Sequence, residues 1–165
     1  MNIILLGKPG SGKGTQAKML VKKYKLHCIS VGEYLRQQIK KNTPLGKRIK
    51  KVMSTPQLVP DHIINKVIAE VIDKYHYSNI LIDGYPRTLS EAKFLKKYMK
   101  KPIDHIIVLD ISDKKAIRRL QKRQKIDPRT ESSSLEKIKE RLKVFKKETM
   151  PVIKLYKKQI KKVNG

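Results

Sequence analysis

The chain has little cysteine, few aromatic residues, few acids and no long apolar run. One cysteine among 165 residues, Cys28, excludes an internal disulfide and a cluster of cysteine ligands around a metal. It lies in Leu26-His-Cys-Ile29 and is expected to be a small core residue rather than a reactive thiol. Trp is absent and aromatics make up 5% of the chain, so a core must rest on Ile, Leu and Val. No stretch approaches the roughly 20 apolar residues needed to cross a bilayer. The first apolar run is too short for a secretory leader and opens onto a glycine-rich loop. A cytoplasmic setting without membrane contact is expected. Acids number 14 against 40 Lys and Arg, a formal net charge of +26. Such a charge raises general affinity for polyanions at low salt. The lysines nevertheless form no single basic arm; they fill the exposed faces of apolar-striped helices such as Leu135–Lys147.

What the chain does have begins at its first residues. An apolar run, Asn2–Leu6, stops at Gly7-Lys-Pro-Gly10-Ser11-Gly12-Lys13-Gly14-Thr15, and a helix-compatible stretch, Lys13–Tyr24, follows. Glycines at this density let successive backbone N–H groups face one anion. The helix behind them contributes its positive end. Lys13 closes a G-x-x-x-x-G-K spacing and can reach the terminal phosphates of a nucleotide. Gly14 stands where the general motif has Ser or Thr, and Thr15 comes next. The alternative is an ordinary strand-to-helix turn, but strand before and helix after are the context that the phosphate loop requires.

Further strands are expected at His27–Ile29, Asn79–Asp83, His105–Asp110 and Lys161–Asn164. Helices are expected at Gly32–Lys41, Pro44–Val52, Pro60–Lys74, Thr88–Lys100, Lys114–Gln124 and Leu135–Lys158, with a mobile polar loop over Ile126–Ser134. Short strands alternating with helices predict an α/β domain: one parallel sheet covered on both faces, with ligands beyond the carboxyl ends of its strands. A second chemical stretch ends the strand at Asp83: Asp83-Gly84-Tyr85-Pro86-Arg87-Thr88. A carboxylate there can hold Mg²⁺ beside a phosphate loop, directly or through water. Arg87 can bind a phosphate in bidentate fashion. Without the first motif, a turn cap and a surface charge would serve as well.

Taken together these stretches resemble the adenylate kinases, within the nucleoside monophosphate kinase family, in their short-lid form. Gly7–Ala17 is similar to the family's phosphate loop, with its Gly-Lys-Gly-Thr ending at Gly12–Thr15. Ile29–Arg36 resembles the monophosphate-binding segment, Gln57–Asp61 the stretch along the acceptor base, and Asp83–Thr88 a family signature. Arg119–Arg123 resembles the start of the lid, Arg129 with Glu131 its end, and Arg141 the arginine of the next helix. The resemblance implies a three-layer fold of the P-loop NTPase type, with a five-stranded parallel sheet, a helical segment for the monophosphate and a short lid. It divides the single kinase domain 1–165 into a core (1–29, 60–120, 133–165), an acceptor segment (30–59) and a lid (121–132). It implies reversible phosphoryl transfer from Mg²⁺-bound ATP to AMP by a monomer. ATP falls to Gly10, Ser11, Gly12, Lys13, Gly14, Thr15 and Arg119. The acceptor falls to Val31, Arg36, Val59, Gly84, Arg87 and Glu91. Transfer falls to Lys13, Arg87, Arg123, Arg129 and Arg141, and Mg²⁺ to Asp83 through water.

Some positions depart from that pattern. Val31 replaces a Thr, Pro56 a glycine, and Ser132 the second acid of the lid. Glu91 stands where adenylate kinases carry the Gln that reads adenine. A carboxylate only accepts, which suits the two adjacent donors of guanine and repels adenine N1. GMP is therefore an alternative acceptor; a Glu91 pointing to solvent would leave AMP in place. The family continues into a loop and a final helix where this chain reads Val163-Asn164-Gly165, so the last strand is expected to be barely supported. Two other functions compete. One is a nucleotide-binding protein with weak catalysis and a polyanion-binding surface. The other is a small-molecule kinase of shikimate or gluconate type. The retained arginines argue against the first, and Asp83–Thr88 with Arg129–Glu131 against the second.

Overall fold

Five short strands, Ile3–Gly7 (β1), His27–Ser30 (β2), Ile80–Asp83 (β3), His105–Asp110 (β4) and Ile160–Asn164 (β5), pair in parallel in the order β2-β3-β1-β4-β5. The computed structural model describes the backbone of residues 1–165 and every side chain but that of Thr130. The central strand β1 sets Ile3 beside Leu81 of β3 and beside His105 of β4. Successive side chains leave a strand on opposite faces. Ile4 and Leu6 accordingly join the larger core with Ile29, Ile82 and Val108, while Ile3 and Leu5 join a smaller one with Leu81, Leu109 and Ala17. Both faces of β1 are buried, as expected of a parallel sheet between helical layers.

The helices are Lys13–Tyr24 (α1), Val31–Lys40 (α2), Pro44–Met53 (α3), Asp61–Lys74 (α4), Leu89–Tyr98 (α5), Asp113–Ile126 (α6), Leu135–Val144 (α7) and Met150–Leu155 (α8). Several begin at sequence-visible caps. Thr43, Thr88, Ser112 and Ser134 each accept a backbone N–H from three residues on, and Pro44 fills the first turn of α3. Gly46 lets α3 lie against α2. A Cβ there would stand 2.1 Å from the carbonyl oxygen of Gln38.

Three expectations are corrected. The helix expected over Leu135–Lys158 is interrupted by a π-helical turn at Phe145–Thr149 and ends at Leu155. The widening falls just before Pro151, which has no N–H for the carbonyl of Lys147. Cys28 is exposed rather than core, because β2 is an edge strand and only Ile29 of its residues is fully buried. The last strand is not weakly held. β5 pairs with β4 from Ile106↔Ile160 to Asp110↔Asn164, and the Gly165 N–H donates to the Asp110 carbonyl at 3.0 Å. Its side chains, Lys161 and Lys162 among them, are largely exposed. The stretch expected as a mobile loop contains a 3₁₀ turn at Thr130–Ser132, with Glu131 and Ser132 buried. Among the described residues no helix is long and apolar enough to cross a membrane.

Candidate active site

β1 runs into the glycine loop, which turns into α1 at Gly12, whose φ of 98° is left-handed and favours glycine. Lys13, the first residue of α1, folds back over the loop. Its Nζ donates to the carbonyls of Gly7 at 2.7 Å and Lys8 at 3.0 Å. Loss of solvation lowers its pKa to about 8, against the pull of Asp83 and with the repulsion of Arg87, Arg141 and Arg123. An arriving phosphate would replace those carbonyls as its acceptor. The Ser11 N–H donates to Lys8 O, and its Oγ is buried without a partner among the described residues. Its carbonyl takes Arg119 NH1 at 3.3 Å, so Arg119 lies along the loop. Gly10, Gly14 and Thr15 belong to the loop and the first turn of α1, and Thr15 is exposed.

Asp83, 9% exposed, ends β3 beside this loop. Ser30 Oγ donates to its Oδ2 at 3.3 Å, while Oδ1 is buried with no partner. An orphaned carboxylate oxygen suits a hydrated divalent cation such as Mg²⁺. Among the described residues no three His, Cys, Asp or Glu cluster as a metal cage. Such an ion would therefore rest on nucleotide phosphates and water as well as on Asp83.

In front of the loop a cavity brings together Lys13, Val31, Arg36, Val59, Gly84, Arg87, Glu91 and Arg141. One part is cationic. Arg87 Nε donates to the Gly84 carbonyl at 2.7 Å, and Arg36 meets Glu33 at 3.3 Å and Glu131 at 3.6 Å. Arg141 NH1 donates to Ser132 Oγ at 2.5 Å, and burial lowers its pKa to about 10. The other part is an apolar slot between Val31, Leu35, Met53, Val59 and Ile64. Pro56 also lines the cavity.

Glu91 is one of the two acids that line the cavity, with Glu131. It is 2% exposed, which excludes the solvent-pointing reading. It takes part in the start of α5: Thr88 Oγ1 accepts the Glu91 N–H at 3.1 Å, and Glu91 Oε2 accepts the N–H of Arg87, the residue before the cap, at 2.5 Å. Loss of solvation pushes its pKa up to about 7, opposed by that N–H and by the Arg87 charge.

Asp83, Arg119, Arg123 and Arg129 do not line this cavity. Arg123 has a buried NH2 with no partner among the described residues, and burial with the nearby Arg129 lowers its pKa. Arg129 is paired with Asp127 at 2.7 Å. Two residues of the site escape the sequence-based list. Glu131, 8% exposed and within the field of Arg36, Arg123 and Arg141, is one of only 14 acids, and its place after Arg129 was the available signal. Tyr85 is fully buried, donating to Asn65 Oδ1 at 2.7 Å and to the Glu91 carbonyl at 3.2 Å; its place between Gly84 and Pro86 was the only hint.

Residues 5–161 match the family model described as adenylate kinase. The chain is 37% identical to an adenylate kinase of Methanothrix thermoacetophila, across all of this chain and 91% of that protein. It is 38% identical to one of Parabacteroides distasonis, across 94% of this chain and 84% of the relative. An adenylate kinase of Mycoplasma capricolum subsp. capricolum is 34% identical, across 95% and 87%.

Proposed function

The chain belongs to the adenylate kinase family and is a nucleoside monophosphate kinase, and from that premise we propose how its residues divide the transfer of a phosphoryl group from ATP to AMP. Lys13 and the loop N–H groups hold the donor's phosphates. Arg36 and Arg87 hold the acceptor phosphate, with the base in the apolar slot beside Glu91. Arg123, Arg129 and Arg141 neutralise the group in transit. Arg119 lies against the donor nucleotide. Asp83 would hold Mg²⁺ through water, and the ion would supply charge neutralisation on the phosphates. No protein nucleophile is needed, because a loose transition state is served by alignment and charge. Residues 30–59 and 121–132 act as the parts that close on the acceptor and the donor and keep water out.

The observation that carries this reading is the cavity itself: Lys13, Arg36, Arg87 and Arg141 share one space with the apolar slot and with the two carboxyls of Glu91 and Glu131. Cations for a phosphate together with apolar walls for a base are what a nucleoside monophosphate requires. The reading includes a monomer, supported by the mutual repulsion of chains carrying +26, and weak non-specific polyanion binding from the same charge. The test is ADP formation from Mg·ATP with AMP, GMP, CMP, UMP and dTMP in parallel. Transfer to a purine monophosphate is expected. Lys13→Ala is expected to lose at least about 10² in kcat, the scale for one transition-state donor. Flat rates with every acceptor, while ATP still binds, would overturn the reading.

A further inference from the structure

We propose that Glu91 selects the acceptor purine by its protonation state, taking adenine as the carboxylic acid and guanine as the carboxylate. The inference rests on the acceptor reading above and adds to it a residue and a variable, pH.

The geometry gives Glu91 two unequal oxygens. Oε2 accepts the Arg87 N–H at 2.5 Å. The Thr88 N–H also favours the carboxylate, but among the described residues no hydrogen bond is formed to Oε1, and it is not one of the side-chain atoms sealed from solvent without a partner. It is the carboxyl oxygen left for a ligand in a residue that lines the cavity. A proton on this carboxyl resides on Oε1, because Oε2 already faces an N–H donor. The acid then offers one donor at Oε1 and a remaining lone pair at Oε2. Adenine's edge, an acceptor N1 beside a donor N6–H, is the complement of that pair. The carboxylate offers two acceptors, the complement of guanine N1–H and N2–H. In each mismatched case a buried polar group faces its like, the arrangement that discriminates most strongly between ligands.

The surroundings put both forms within reach of neutral pH. Apolar walls and burial favour the acid, pushing its pKa to about 7. Opposing them from the Gly84–Thr88 loop are the Arg87 N–H, the Thr88 N–H and the Arg87 guanidinium. From α4, Asp61 favours the acid by repulsion; its own Oδ2 accepts the Thr88 hydroxyl at 2.8 Å. Tyr85 bonds Asn65 and stays a neutral phenol, its pKa held far above the ordinary value by burial and by Glu91. Tyr156, beyond α8, is raised by burial as well.

The test compares kcat/KM for AMP and GMP with saturating Mg·ATP from pH 6 to 8.5, in the unaltered protein and in Glu91→Gln. Titration of Lys13 or of the acceptor phosphate acts on both nucleotides alike and cancels in the ratio. The ratio of acid to carboxylate changes about tenfold per pH unit, so the AMP-over-GMP ratio is expected to fall by about that factor per unit as pH rises. Gln keeps an amide oxygen to accept the Arg87 N–H and cannot ionise, so its ratio is expected to be independent of pH and to favour AMP. A second measurement needs no variant. Calorimetric titration at pH 8, in buffers of different ionisation enthalpy, is expected to show nearly one proton taken up with AMP and none with GMP. A pH-independent ratio in the unaltered protein, a slope that survives in Glu91→Gln, or equal proton uptake with both nucleotides would overturn the inference and leave the kinase reading standing. Absence of transfer to any monophosphate would overturn both.

Discussion

Arg141 donates to Ser132 of the 3₁₀ turn, so that contact is a charge-assisted hydrogen bond to a hydroxyl rather than an ion pair. Removing it with Ser132→Ala is expected to raise the KM for ATP about tenfold with little change in kcat, since a hydrogen bond to a charged group is worth about 1.5–3 kcal/mol; initial-rate kinetics read the split. Asp83→Asn keeps a partner for Ser30 but loses the free anionic oxygen. It is expected to lower kcat on the order of 10²-fold and to raise the Mg²⁺ concentration giving half-maximal rate, read by titrating Mg²⁺ at fixed ATP. Lys13, Asp83 and Arg87 were legible in the sequence because phosphate chemistry demands those residue types at fixed distances from a strand end. The contact of Ser132 with Arg141 was not, since it joins the 3₁₀ turn to the helix after it. Nor was the burial of Glu91: Thr88-x-x-Glu91 reads as a helix cap whether the helix start faces water or a slot.

At the scale of elements, α2 and α3 meet at Gly46 with no room for a Cβ. Gly46→Ala would force these helices apart, and overpacking of this kind costs about 1–3 kcal/mol. A drop in Tm of several degrees is expected in a thermal melt, with a larger KM for the acceptor than for ATP, because α2 carries Val31, Leu35 and Arg36. Most element bounds were readable because Thr43-Pro44, Thr88, Ser112 and Ser134 mark helix starts chemically, and α1 and β4 occupy the ranges the pattern predicts. The π turn at Phe145–Thr149 was not readable. Ile138, Leu142 and Phe145 keep an unbroken helical spacing, and the change of pitch shows only in backbone hydrogen bonds. Its effect falls on the site, since Phe145 and Thr149 both line the cavity. The exposure of Cys28 was hidden for a related reason: strand order, not local composition, decides which strand has an open side.

At the scale of the whole molecule, 40 basic residues against 14 acids make the approach of any nucleotide an attraction. The value of kcat/KM for the acceptor is expected to fall as salt rises from about 20 to 300 mM, while kcat changes far less, because screening acts on encounter over about a Debye length. Affinity for single-stranded nucleic acid, measured by fluorescence anisotropy, is expected to fall linearly on a log–log plot against salt and to show no sequence preference. Total charge was plain in the composition; the enclosure of four of those cations around one cavity was not, since Lys13, Arg36, Arg87 and Arg141 come from distant parts of the chain.

The same charge has a consequence at the rim of the sheet. β5 is an outer strand, with no neighbour beyond it to take up its free backbone groups, and such a border invites a second chain to add itself as a further strand. Lys161 and Lys162 stand on that border, and every other copy in solution arrives with the same surplus of positive charge. Colloidal stability of this protein is therefore tied to its salt and to its anions. Polyphosphate or nucleic acid at charge-matching ratios removes the repulsion and exposes a strand ready to pair, so turbidity is expected to peak near charge balance and to clear again in excess polyanion.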